Sequence, residues 1–159
     1  MAAEEQGRIA MYSTKDWECV HVFKASNSKS KKNLADVACH PSAKLFMALN
    51  QDGSLKCWDL KRAKLIGKEK IIMAATSLQK KKSGSMEKLV WSTSGKYYAV
   101  LSADNLVVFQ TKGNQRIKEW SGRQKMTSCL FYYEDYLLIV GEGSRLDILN
   151  VINENDHKF

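Results

Sequence analysis

Four cysteines and three histidines are the side chains of this 159-residue chain best suited to hold a metal or attack a substrate. Cys19, Cys39, Cys57 and Cys129 contain no C-x-x-C pair, and none stands with a histidine at metal-ligand spacing. They read as reduced, buried thiols of an intracellular protein. His21 falls in a strand pattern, His40 precedes Pro41 in a turn, and His157 lies far from both, so structural roles are expected. The stretch GEGSRL at 141–146 has part of the spacing of a phosphate loop, but no helical pattern follows it and the final glycine is missing. It reads as a turn. Glu134 and Asp135 form an acidic pair expected to be solvated in a hairpin turn. No nucleophile elbow, Walker sequence or Cys–His constellation occurs, so no catalytic residue, metal, cofactor or small-molecule substrate is expected.

The elements that carry these residues recur. Sliding the chain by 52 positions sets ACHPSAKLFMAL from Ala38 over VWSTSGKYYAVL from Val90, so that Ser42 meets Ser94, Lys44 meets Lys96 and Leu49 meets Leu101. A third copy begins at Cys129 and sets Phe131 on Trp91. Behind each copy come a turn and a further alternating strand: QDGS before LKCWDL, SADN before LVVFQT, GEGS before LDILNV. An offset of 46 brings in the amino-terminal segment, with Gly7 on Gly53 and Tyr12 on Trp58. Short alternating strands joined by Gly, Asp, Asn and Ser turns at a period near forty residues are the pattern of propeller blades.

The expected fold is therefore all-β, an incomplete β-propeller of about three blade equivalents cut from a longer ring. The blades are placed at 1–25 (the end of one), 34–71, 86–120 and 126–153 (most of a fourth), with IIMAATSLQ at 71–79 unassigned. Open sheet edges invite pairing with other chains, which points to a fragment of a longer protein. Trp17, Trp58, Trp91 and Trp120 recur near strand positions and are expected to pack between blades. The start MAAEEQG is acidic and unlike a signal peptide, and no apolar run is long enough for a spanning helix; a soluble protein without a membrane partner is expected.

Composition is that of a globular chain, with 44% hydrophobic and 26% charged residues. The 25 basic side chains outnumber the 17 acidic ones, a net charge of +8. Connections from the outer strand of one blade to the inner strand of the next share one face of a propeller. Here they are 26–33, 79–88 and 121–125, carrying Lys29, Lys31, Lys32, Lys80, Lys81, Lys82, Lys88, Arg123 and Lys125 against Glu87, which is nine minus one or +8. Pooled on one face, these residues would suit phosphate backbones and pre-ribosomal RNA. They have no interleaved aromatic residues, so contacts would be phosphate-dominated and weakly sequence-specific. Alternatively they are solvated loops. The lysine run 80–82 also has the look of a nuclear import signal.

At DGSLKCWDL the sequence resembles a WD repeat, with Asp52 at the turn position that ties a blade together and Trp58 at the third-strand position that packs between blades. No Gly-His dipeptide precedes a first strand, and Phe109 and Leu149 stand where further Trp residues would be. More narrowly, KDWECVHVFKA, HPSAK, WSTSGKYYAV and LDILNV resemble, in order and spacing, the Mak-eleven family of WD-repeat proteins, whose animal members are called p21-activated-kinase-interacting proteins. The resemblance implies a non-catalytic scaffold in assembly of the large ribosomal subunit in the nucleolus, with ribosome assembly factors, ribosomal proteins and pre-rRNA as partners. The alternative it implies is a signalling adaptor that binds and restrains a p21-activated kinase.

Overall fold

The structure is a computed structural model that describes residues 2–4, 7–25, 34–70, 85–122, 124–133, 135 and 137–151. The unassigned segment 71–79 and the connection 26–33 lie outside these residues. The chain divides into two compact units, Met1–Ile72 and Met73–Phe159. Among the described residues there is no α-helix; apart from one 3₁₀ turn, the regular elements are strands in four antiparallel sheets, an architecture compatible with an incomplete β-propeller.

The first unit holds two sheets. Sheet one joins β1 (Ala2–Glu4), β2 (Arg8–Tyr12) and β3 (Cys19–Lys24) in that order. Sheet two is the meander β4 (Leu34–Cys39), β5 (Leu45–Asn50), β6 (Ser54–Asp59) and β7 (Lys64–Lys70). The second unit repeats the plan. Sheet three is β8 (Met86–Trp91), β9 (Tyr97–Ser102), β10 (Asn105–Gln110) and β11 (Gln115–Ser121). Sheet four is β12 (Met126–Tyr132), β13 (Leu137–Glu142) and β14 (Arg145–Asn150).

The strand sequences explain the order. In β5 (LFMALN) and β9 (YYAVLS) every residue after the first is buried, as a strand covered on both faces requires. The outer strand β11 (QRIKEWS) has no buried residue, in keeping with its place at a sheet edge. Cross-strand rows keep the repeat in register: Cys39, Phe46 and Trp58 align in sheet two, Trp91, Tyr98 and Phe109 in sheet three, and Phe131, Leu138 and Leu149 in sheet four.

The turn entering β5 and the turn entering β9 have the same backbone hydrogen bonds. In the first, the His40 N–H donates to the Leu45 carbonyl at 2.9 Å and the Ala43 N–H to the His40 carbonyl at 2.8 Å. In the second, Ser92 donates to Tyr97 at 2.9 Å and Gly95 to Ser92 at 3.0 Å. Both turns need one residue in the left-handed region. Gly95 takes it at φ 73°, where glycine is unstrained, and Ala43 takes it at φ 55° against the crowding of its Cβ.

Each unit has a core between its two sheets. In the first, Ile9, Phe23 and Ala25 pack with Phe46, Ala48 and Trp58. In the second, Ala99, Leu101, Leu106 and Val108 of sheet three pack with Met126, Cys129, Phe131, Leu138 and Val140 of sheet four, with β12 lying against β8 and β9.

Candidate functional site

Trp58 is buried at the junction of the first two sheets. Its ring stacks on Phe46 with centroids 4.9 Å apart and planes 7° apart, and Phe23 of sheet one meets Phe46 edge-on at 4.8 Å. Such contacts add to what burial alone supplies. Asp52 sits in the turn between β5 and β6, where its Oδ1 accepts the Ser54 backbone N–H at 3.1 Å and the Ser54 hydroxyl at 2.7 Å. Asn50, buried beside it, donates from Nδ2 to the Ser54 hydroxyl at 2.9 Å and to the carbonyl of Ala25, the residue just after β3, at 3.5 Å. Trp91 is buried in sheet three with its ring 5.5 Å from that of Tyr98. Tyr98 stacks on Phe109 and donates its phenol hydroxyl to Asn114.

Of the nine basic residues, Lys29, Lys31, Lys32, Lys80, Lys81, Lys82 and Arg123 lie outside the described residues. Lys88 is exposed, but it stands within strand β8 rather than in a connection, because the strand begins already at Met86. Lys125 does lie in the connection between β11 and β12. That connection is held against the β9–β10 and β13–β14 turns: Gly122 donates to Asp104 at 2.9 Å, Met126 to Ala103 at 2.8 Å, and Gly143 to Lys125 at 3.2 Å. The Lys125 ammonium is 3.4 Å from Glu87, so part of its charge is already answered within the unit.

Three expectations are corrected. Asp135 is not solvated: it is 2% exposed, at φ 71° in the turn between β12 and β13. Its carboxylate accepts the Thr93 hydroxyl at 2.8 Å, the Ser94 hydroxyl and the Ser94 N–H at 3.4 Å, which fastens the turn of sheet four to that of sheet three. Burial pushes its pKa up, yet the hydrogen bonds from Ser94, Thr93 and Ser92 outweigh burial and hold the carboxyl below its ordinary 3.8. Trp17 does not pack between sheets. It is 75% exposed at φ 61° in the β2–β3 turn, its N–H bonded to the Ser13 carbonyl at 3.0 Å. The cysteines are not uniformly buried either: Cys19 and Cys39 are exposed, Cys57 is half-buried and Cys129 is buried. Burial raises the thiol pKa of Cys57 and of Cys39.

His40 Nδ1 lies 2.8 Å from the Ser42 hydroxyl, inside its own turn, and His21 meets the Phe23 ring edge-on. No group of three or more His, Cys, Asp or Glu side chains could hold a metal among the described residues. No helix among them is long and apolar enough to cross a membrane. The described surface also carries exposed apolar side chains among its charged ones. Tyr12, Val20 and Val22 are exposed on sheet one, and Leu130, Tyr132, Leu146 and Ile148 on sheet four.

No family model matches the sequence. The chain is 28% identical over 141 residues to a p21-activated protein kinase-interacting protein 1-like protein of Danio rerio, an alignment that covers 89% of this chain and 34% of the relative. A protein of the same name from Xenopus laevis is 25% identical over 142 residues, covering 89% and 35%. Shk1 kinase-binding protein 15 of Schizosaccharomyces pombe is 41% identical over a shorter stretch of 64 residues, covering 40% of this chain and 18% of that one. The chain thus spans about a third of the length of the first two relatives. Over most of its own length it is similar to proteins named for interacting with a p21-activated kinase.

Proposed function

We propose that this chain is part of a non-catalytic WD-repeat scaffold that binds partner proteins, and that a kinase of the p21-activated class is one of them. The observation that carries this reading is the similarity, over 89% of the chain, to two proteins named for interacting with that kinase, supported by a third named for binding Shk1 kinase. The sheets agree with such a role. They present exposed aromatic and aliphatic side chains on strands and turns, Trp17, Tyr132 and Tyr133 among them, and large aromatic side chains are common anchors of protein interfaces. The test is co-purification of the tagged chain with a p21-activated kinase from cell extract, followed by binding of the two purified proteins. Retention of the kinase is expected; a chain that binds no such kinase in either format rejects the kinase partner.

A second reading is favoured by the charge. In the sequence the nine basic residues at 26–33, 79–88 and 121–125, less Glu87, sum to the chain's whole excess of +8, eight of the nine lying outside the described strands, as a surface for pre-ribosomal RNA would require. In this reading the scaffold serves large-subunit ribosome assembly in the nucleolus, with ribosomal proteins and assembly factors as further partners. Binding to structured RNA at two salt concentrations tests it. Affinity that falls steeply with added salt is expected, and affinity that is absent or indifferent to salt rejects it.

A further inference from the structure

The outermost strands of three sheets share a bulge. One extra residue stands in each, Val20 in β3, Ile66 in β7 and Ile117 in β11, at offsets of 46 and 51 along the chain. All three are exposed, Ile66 at 54% and Ile117 at 38%. Sheet two has the sheet before it in place, with Phe23 against Phe46, and sheet three has the sheet after it in place, fastened by Asp135. Neither kind of neighbour covers the bulge, because within each unit the sheets meet through their faces while the bulge lies on the outermost strand.

Beside the bulge, sheet two departs from its repeats. Two residues beyond Ile66 stands Lys68, directly opposite Lys56, and like charges opposed across two strands repel. The equivalent pair is Ala10 with Val22 in sheet one and Val107 with Glu119 in sheet three, so the strand frame calls for a cation at neither position. Lys56 is half-buried and its ammonium donates to the Lys24 carbonyl at 3.3 Å; burial, with Lys68 beside it, lowers its pKa. Among the described residues neither lysine has a carboxylate in ion-pair range. In sheet three the cations flanking Ile117 are engaged, Arg116 with Glu119 at 2.8 Å and Lys118 with the Asn150 carbonyl at 3.3 Å. Residues 54–70 hold six basic side chains against two acidic ones, a net +4, where the equivalent 105–121 hold three against one, a net +2.

We propose that an acidic extended segment of a partner protein lies along β7, with its carboxylates at Lys56 and Lys68 and an aliphatic side chain against Ile66. Two opposed ammonium groups without a carboxylate call for negative charge between them. Ile66 supplies an apolar contact that a peptide can use and a phosphate backbone cannot. At about 3.3 Å per residue, Ile66 and Lys68 stand roughly 7 Å apart, the spacing of alternate side chains in an extended peptide. Lysines and a bulge keep an outermost strand from pairing with its own kind, and the same lysines admit a segment of opposite charge, so this edge is selective. The inference rests on the reading of the chain as a protein-binding scaffold and names the chemistry of the segment bound; it does not require that the partner be a kinase.

The experiment is fluorescence anisotropy with the full chain and three labelled probes: a short peptide with Glu at alternate positions around a central Val, the same peptide with Lys for Glu, and a structured RNA hairpin. The Glu peptide is expected to bind and the Lys peptide not to. Lys68→Glu should weaken the Glu peptide by roughly tenfold through like-charge repulsion, and Ile66→Ser by about three- to tenfold through lost apolar burial. Ile117→Ser, at the equivalent bulge of sheet three, should leave the affinity unchanged. All three positions are exposed, so the changes disturb no core, and far-UV circular dichroism checks this. No binding of the Glu peptide at the highest soluble concentration overturns the proposal, as does an affinity indifferent to Lys68→Glu or lost equally with Ile117→Ser. RNA bound more tightly than the peptide, through Lys68 but without regard to Ile66, overturns it in favour of a phosphate site. The probes contain no kinase, so this result and that of the kinase co-purification can fail separately.

Discussion

Phe23, Phe46 and Trp58 join the sheets of the first unit through an aromatic cluster, whereas the second unit joins its sheets with mainly aliphatic side chains around the single buried ring of Phe131 and with a buried carboxylate, Asp135. The strand frame is common to both, down to the hydrogen bonds of the turns that begin at His40 and Ser92. The difference shows that this repeat needs some inter-sheet adhesion but does not prescribe its chemistry. Aromatic stacking draws its strength from burial and dispersion and is nearly independent of pH. A carboxylate holding three hydroxyl and amide donors is directional, and it weakens when the carboxyl gains a proton.

The largest test of the contrast is Trp58→Ala, which should remove the aromatic adhesion and destabilise the chain by about 3–5 kcal/mol in denaturant unfolding. A loss below about 1 kcal/mol would mean that the stack is ornamental. Next comes Asp135→Ala, expected to cost about 1–3 kcal/mol because the Thr93 and Ser94 donors lose their acceptor. This one carries a pH signature. The carboxyl is held below its ordinary 3.8 in the folded chain, so its contribution is complete above that value and disappears as pH falls through the lower folded value. Below about pH 4 the wild-type chain should therefore lose its advantage over Asp135→Asn, and an advantage constant down to pH 2 would remove the carboxylate from the explanation.

The turns supply a smaller pair of opposite effects. Gly95→Ala should destabilise by about 1 kcal/mol, while Ala43→Gly should stabilise or be neutral, since both positions are left-handed. The same sign at both sites would break the equivalence of the two turns. Lys125→Ala should shift stability by less than about 0.5 kcal/mol, because its partner Glu87 is paired with it near the surface. The smallest effect is kinetic: Cys57 should be alkylated more slowly than a free thiol, as burial holds its pKa up.

Much of the frame is legible in the residues themselves. The alternation of LKCWDL and LVVFQT, and the QDGS turn with Asp52 and Gly53, are local signals, and local signals fix strand and turn because backbone preference acts over a few residues. The candidate site is less legible. Lys88 and Lys125 look alike in sequence, yet one lies exposed in a strand and the other is paired with Glu87. Trp17 and Trp58 both follow strand-like runs, and only the second is covered. Covering depends on which surface arrives from another sheet, and nothing within a few residues of either tryptophan encodes that.

The sequence by itself determined that this chain is a succession of short antiparallel strands at a period near forty residues, because pleat alternation and turn chemistry are written residue by residue. Tertiary structure alone decided that Asp135 would be buried among hydroxyls, that Phe23 would meet Phe46 and Trp58 edge-on, and that Ile148 would face outward. Those outcomes depend on juxtaposition across sheets, where partners distant in the chain meet, and burial and hydrogen bonding take their value only once that contact is made.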